Sequence, residues 1–350
     1  MPSEGRRRMR RYLGIAAAAI LLSAAPALAE GQLHIFNWGD YTNPKLLEKF
    51  TAETGIEVTL DDYDSNESMM AKVRAGNSGY DIVVPTDYVV KIMIDEGLLA
   101  ETRPDQMPNF KNVDALWSNP PFDPGRHYSV PWQWGTTAFA VDTAVYGGDI
   151  DTWKILFDPP DELKGKINMQ PSQDEVFAAA LRYLGYPRCT SDPAQLKAMY
   201  DMVANAKQYW RTMDYGMIDT MVAGDTAASH GWNGAAMRVR LQKPTVKYAY
   251  PKEGFPVWMD NVVVLKDAAN LENAKIFQNF IMDPENAALI SDYAKYANGI
   301  AGSEKFMPAE FAEAPEIKMP EWAEPLGEFA IVCDQTTVEK YTQLWTNLLK

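Results

Sequence analysis

From Gln32 to Leu99 the chain switches repeatedly between strand-like and helix-like hydrophobic spacing, and this alternation constrains the fold more than any other feature. "QLHIFNW" reads as a short strand. "TNPKLLEKFTAETG" follows as a helix, with Asn43 as its cap, Pro44 in the first turn and Gly55 past its end. "IEVTL" and "YDIVVP" predict two more strands, "NESMMAKVRAGNSG" and "DYVVKIMIDEGLL" two more helices, the last closed by Gly97. A strand–helix order of this kind gives a mostly parallel sheet covered by helices, an α/β fold.

Residues 103–131 are rich in Pro and Asn and read as loop. Alternation resumes with "HYSVPWQWGTTAFAVD", then "GKINMQ" as strand, "SQDEVFAAALRYLG" as helix and "DPAQLKAMYDMVANAKQYWR" as a longer helix. "AASHGW", "VKYAYP" and "VWMDNVVVL" supply further strands, and the tail is helical from "LENAKIFQNFIM" to "TVEKYTQLWTNLLK". No repeat, low-complexity tract or flexible linker separates the two α/β units. Two lobes joined by strands that run from one into the other are therefore expected. In such folds ligands sit beyond the carboxyl ends of strands, in the cleft. Trp38 lies just past the first strand, and Thr86, Asp87 and Tyr88 just past the third, so these ends should share one crevice.

The first 29 residues stand apart. An Arg-rich start, an apolar stretch from Leu13 and "ALA" before Glu30 predict a secretory leader cut after Ala29. The apolar part falls short of the roughly 20 residues a membrane-spanning helix needs. Residues 30–350 then carry 28 basic against 46 acidic side chains, a balance that repels nucleic acid and draws small cations. Export makes a disulfide between Cys189 and Cys333 possible; the sequence leaves pairing and free thiols equally open.

The sequence lacks the phosphate-binding, dinucleotide-binding, serine-nucleophile and zinc-protease motifs. His34, His127 and His230 share no ligand spacing, so no metal and no cofactor is expected. What remains is a set of aromatic residues beside acids at strand ends: "FNWGDY", "PTDY", "HGWNG" and "VWMD". Within "FPVWMDNVVV", Trp258 and Asp260 leave one face of an apolar strand together. Ring faces attract a cation and a carboxylate completes the pairing, so an amine site is one reading. Ordinary core packing of the aromatics is the other.

The same stretches carry a resemblance. "LHIFNWGDYTNPKLLEKFTAETGIEVTLDDYDSNESMMAKV", "YDIVVPTDYVV", "PFDPGRHYSVPWQWGTTAFAVD", "DEVFAAALRYLGY", "GWNGAAM" and "PKEGFPVWMDNVVV" are similar, in order and spacing, to the periplasmic spermidine/putrescine-binding proteins of ABC importers, a branch of the bacterial extracellular solute-binding family. The resemblance implies a type II two-lobed fold that clamps its ligand. It places residues 30–138 and 259–304 in the first lobe and 139–258 and 305–350 in the second. It also implies a periplasmic monomer that passes a polyamine to the transmembrane subunits of a permease and performs no catalysis. Carried over residue by residue, Trp38, Tyr41, Tyr88, Trp232, Trp258 and Tyr296 form the aromatic walls, and Glu175 and Asp260 meet the ammonium groups.

Three departures qualify this. Ser172 stands where spermidine binders carry a second acid, Gly39 replaces a polar residue, and a late Gln contact has no clear match around "IVCDQTT". Fewer acids favour a diamine or another cation; Asp40 and Asp87 are the acids placed to compensate. Glu175 also has a local alternative, because "SQDE" is a capping box in which Ser172 and Glu175 satisfy each other's amides. Arg238 and Arg240 are expected to face solvent. Two other functions stay open: a same-fold receptor for another organic cation or amino-acid derivative, and an exported hydrolase using paired carboxylates such as Asp40 and Asp260.

Overall fold

The computed structural model describes residues 31–329, 331 and 333–350; the expected leader, residues 1–29, lies outside them. The first alternation is present as β1 (Gly31–Trp38), α1 (Pro44–Thr54), β2 (Ile56–Tyr63), α2 (Asn66–Arg74), β3 (Ile82–Val83) and α3 (Asp87–Asp95). Capping chemistry sets the boundaries. Asn43 accepts from the Lys45 amide ahead of Pro44, and Gly55 ends α1 at φ 75°, a left-handed value that costs glycine nothing. Ser65 opens α2 by accepting from the Ser68 amide.

The chain continues through β4 (Ser129–Asp142), α4 (Lys154–Phe157), β5 (Ile167–Met169), α5 (Gln173–Tyr183), α6 (Pro193–Lys207) and β6 (Trp210–Met213). Then come α7 (Met217–Ala223), β7 (Ala228–Trp232), α8 (Asn233–Gln242), β8 (Val246–Ala249) and β9 (Phe255–Val264). The last elements are α9 (Leu271–Ile281), α10 (Pro284–Ala294), α11 (Ala309–Ala312), β10 (Gly327–Phe329) and α12 (Gln335–Leu349). The long helix expected to reach Arg211 stops at Lys207, and Trp210–Met213 instead pairs with β5. The Trp210 indole donates to the Leu156 carbonyl at 3.0 Å, a tertiary contact with no local signature.

The strands follow one path, β2-β1-β3-β9-β4-β7-β5-β6, with β10 beside β9 and β8 beside β4. Parallel runs lie at both ends of the path, β2-β1-β3 and β7-β5-β6. Between them β4 and β9 are antiparallel to each other, with Ser129 opposite Val263 and Thr136 opposite Val257. Beyond that point β4 pairs with β7 from Thr137 onward and with β8 from Phe139. The apolar side chains sort accordingly into two cores. Trp132 and Met259–Leu265 join the first; Phe139 and Phe255 join the second. The chain thus crosses between the cores near Thr136–Thr137 and again near Val257–Trp258.

The loop expected at 103–131 is pinned rather than free. Arg126 is fully buried and donates to the Trp117 carbonyl, to Ser129 Oγ and to Asn261 Oδ1 on β9. Asp123 accepts from the amides of His127, Tyr128 and Ser129 and from the Ser129 hydroxyl. Burial pulls the Arg126 guanidinium down to about 9, with Asp123 opposing. A buried charge held this way ties the loop to both crossing strands.

Cys189, between α5 and α6, is bonded to Cys333 at the head of α12, across 144 residues of sequence. The bond fastens the C-terminal helix, whose Tyr341 and Leu348 enter the second core. In the chain-entropy account, closing so long a loop contributes about 5 kcal/mol. Reduction with dithiothreitol is therefore expected to lower the melting temperature by roughly 10 °C. Equal melting curves for the oxidised and reduced protein would show that α12 is held without the bond.

Candidate functional site

Asp260 lies on β9 just past the crossing, 6% exposed, in a wall of rings and hydroxyls. Tyr41 donates to its Oδ2 at 2.9 Å and Thr86 to its Oδ1 at 2.9 Å. No backbone amide reaches it among the described residues. Burial pushes the carboxyl up to about 7; the hydroxyls of Thr86 and Tyr41 oppose the shift and nearby Asp87 adds to it. Tyr41 is itself buried beside this acid, and both effects hold its phenol well above the usual range. It therefore stays a donor.

The surrounding rings come from separate elements. Trp38 ends β1, and its indole donates to the Val84 carbonyl at 2.9 Å while its ring packs on Tyr63. Tyr296 follows α10 and meets Tyr41 and Trp258 edge-on, with centroids 5.8 and 5.2 Å apart. The "WNG" glycine has a steric reason. A Cβ on Gly234 would lie 2.5 Å from the Tyr296 ring, so only glycine lets α8 approach that side chain. Gly135 likewise admits Trp258, whose six-membered ring would sit 2.7 Å from a Cβ there.

Across the crossing, Trp232 ends β7 opposite Thr137 in register and stacks on Tyr215 at 5.8 Å. Thr137 donates to Glu175 Oε1 at 3.2 Å. Ser172 does cap α5, by accepting from the Glu175 amide. The Glu175 carboxylate does not complete the box; it turns to Thr137 instead. Burial raises its carboxyl, with Arg188 the largest opposing influence. Tyr88 holds the remaining corner. Asn66 Nδ2 reaches both the Tyr88 hydroxyl and Thr86 Oγ1, at 3.2 and 3.1 Å, and so links this corner to Asp260.

Two expected acids stand elsewhere. Asp87 is buried, but Oδ2 accepts from the Met259 amide at 2.9 Å and Oδ1 from the Tyr88 amide at 2.6 Å. These amides tie it into the joint between α3 and β9, while burial pushes its carboxyl up to about 7, with both amides opposing. Asp40, at φ 53°, leaves the wall for the rim. It pairs with Arg238 Nη1 at 2.6 Å and accepts from Tyr293 at 3.0 Å, with its side chain 66% exposed. This bridge also corrects the expectation for Arg238, which closes the rim between α8 and the β1–α1 loop. Arg240 is engaged as well, in a two-point pair with the fully buried Glu316. Sequence reasoning passed over Thr137 and Tyr215. Thr137 was detectable, since alternation along β4 puts it on the face of Gly135; Tyr215 carries no local signal.

Trp38, Tyr41, Tyr88, Trp258, Asp260 and Tyr296 are thus gathered from the first core's side and Glu175 from the second's, while Trp232 ends β7 but packs its ring on the first core. An acid that is buried, short of donors and ringed by aromatic edges is suited to a charged hydrogen-bond donor on a slender apolar chain. Among the described residues no group of three or more His, Cys, Asp or Glu is arranged to hold a metal, and no helix is long and apolar enough to cross a membrane.

Residues 45–319 match the family model described as bacterial extracellular solute-binding protein. The chain is 34% identical over 325 residues to the putrescine-binding periplasmic protein of Pseudomonas aeruginosa, covering 87% of this chain and 88% of that one. It is 33% identical over 336 residues to the spermidine/putrescine-binding periplasmic protein of Escherichia coli, covering 93% and 96%. Among solved structures, the spermidine/putrescine ABC transporter substrate-binding protein of Streptococcus pneumoniae superimposes with a TM-score of 0.79 at 28% identity, over 91% of this chain and 99% of that one. By these matches, this chain belongs to the bacterial extracellular solute-binding proteins.

Proposed function

We propose that this protein is the periplasmic receptor of an ABC importer and that it clamps a linear polyamine, such as putrescine, at the crossing of β4 and β9. Asp260 carries the reading. A carboxylate deprived of water and answered by two neutral hydroxyls is short of a counter-ion, and an ammonium supplies one. Trp258, Trp38 and Tyr296 offer faces and edges for the methylene chain, whose burial contributes roughly 0.8 kcal/mol per CH₂. The curated relatives named for putrescine and spermidine support the same chemistry. In this reading the two cores are the two lobes, residues 30–138 with 259–304 and residues 139–258 with 305–350. They close about the crossing strands, and a membrane permease takes the ligand from the closed monomer. No bond is made or broken. Asp40 and Asp260 do not offer the paired acids of a hydrolase, because Asp40 sits at the rim in an ion pair.

Asp260→Asn keeps the shape and removes the charge. Losing one partner of a buried charge pair costs about 2–5 kcal/mol, so putrescine affinity measured by titration calorimetry is expected to fall roughly thirty-fold to several-thousand-fold. Asp87→Asn should behave oppositely, lowering the melting temperature through its amide contacts while binding falls far less. Normal putrescine binding by Asp260→Asn would refute the assignment.

The raised carboxyl also sets a pH dependence. With its folded value about 7 against the ordinary 3.8, Asp260 contributes stability fully present below the unfolded value and lost as pH rises through 7. An ammonium favours the ionised form, so binding near neutrality should expel a proton. Affinity is then expected to weaken on acidification below pH 7, by up to about tenfold per pH unit. Calorimetry in buffers of different ionisation enthalpy reads the proton directly. No proton release in the wild type, or release retained in Asp260→Asn, would place the titrating group elsewhere.

A further inference from the structure

An ion pair joins the two halves of the molecule away from the crossing strands. Helix α8 belongs to the second half, where its Ala235, Ala236 and Val239 enter the second core. From its outer turn Arg238 donates through Nη1 to Asp40 Oδ2 at 2.6 Å, in the β1–α1 loop of the first half. Tyr293 of α10, also in the first half, donates to Asp40 Oδ1 at 3.0 Å. Asp40 holds this place at φ 53°, a left-handed value that short polar side chains tolerate. Asp219 lines the same recess, of about 510 Å³, yet among the described residues Asp40 is the carboxylate within ion-pair distance of Arg238. The first half is acidic here: burial, and then Asp61, Asp64 and Asp40, raise the Asp62 carboxyl. Arg238 brings the opposing charge from the other half.

Both ends of the pair are tied to the ring-lined wall. Asp40 directly precedes Tyr41, which donates to Asp260. On the other end, α8 touches Tyr296 where Gly234 leaves room for the ring. Burial raises the Tyr296 phenol to about 12, and Arg238 is the largest influence opposing that shift. Tyr296 in turn meets Tyr41 and Trp258. Trp232, at the head of α8, packs its ring on the first core. Parting the halves along α8 therefore separates Arg238 from Asp40 and unpacks the wall in the same movement.

We propose that Arg238 is a positioning residue for ligand retention: by clasping Asp40 across the rim it holds α8 against the wall and slows release of a bound amine without touching it. The inference rests on the amine reading of the site and adds to it a contact that sets how long the ligand stays. Asp40 is 66% exposed and Arg238 25%, so water screens the pair and its effect is modest. Two opposite charges acting on a cationic ligand one by one would shift its affinity in opposite directions. A clasp between them shifts it in one direction.

Stopped-flow fluorescence of putrescine binding and displacement, at about 0.15 M salt, tests this in the wild type, Asp40→Asn, Arg238→Gln and the double variant. Asparagine keeps the left-handed backbone at position 40 and removes only the charge. Each single variant is expected to release putrescine about two- to fivefold faster, with the association rate unchanged within about twofold. The double variant should release it no faster than the faster single one, because either change already opens the clasp. Weaker binding in Asp40→Asn with tighter binding in Arg238→Gln overturns the clasp in favour of separate charges acting on the ligand. Effects that multiply in the double variant, or release unchanged in either single one, overturn it while leaving the amine site standing. A wild type that binds no amine overturns the amine reading and this inference with it.

Discussion

The antiparallel pairing of β4 with β9 is the constraint on which the remaining structure depends, because both strands belong to both cores. Each is buried along most of its length, so the two halves are joined by shared backbone hydrogen bonds rather than by a loose linker. Small changes in dihedral angle near Thr136–Thr137 and Val257–Trp258 can tilt one core against the other while the ladders within each persist. The buried Arg126 braces this pair from outside by holding Asn261 of β9 and Ser129 of β4 together.

The same crossing dictates where charge can sit. Four carboxylates stand near the cleft, and their partners separate them into distinct uses. Asp87 takes two amides and becomes part of the scaffold. Asp40 takes Arg238 and Tyr293 at the rim, where water limits what an ion pair contributes. Asp260 receives two neutral hydroxyls, and Glu175 one, and burial raises both carboxyls. Desolvation makes the anionic form of these last two costly, a cost that an ammonium would offset in the proposed reading.

Much of this was legible in the sequence. The alternation of periods from Gln32 to Leu99, with Asn43, Pro44 and Gly55 marking one helix, fixed the α/β class. The pairing of Trp258 with Asp260 on one strand face followed from a two-residue period, and the order of the motifs carried the family resemblance. These are local features, set by dihedral preferences and side-chain direction, and they survive without knowledge of the fold.

Other decisions needed tertiary contact. Asp40, Asp87 and Asp260 are the same residue beside the same kinds of neighbour in sequence, and nothing local distinguishes an acid met by backbone amides from one met by Arg238 or by hydroxyls. Strand β6 was read as the end of a helix because its partner β5 lies more than 40 residues away. The bond between Cys189 and Cys333 likewise arises from segments distant along the chain. The sequence by itself determined which elements form and which faces they bury, because propensity and periodicity act over a few residues. The tertiary structure alone decided which charges are satisfied, because burial and partner choice depend on what the rest of the chain brings alongside.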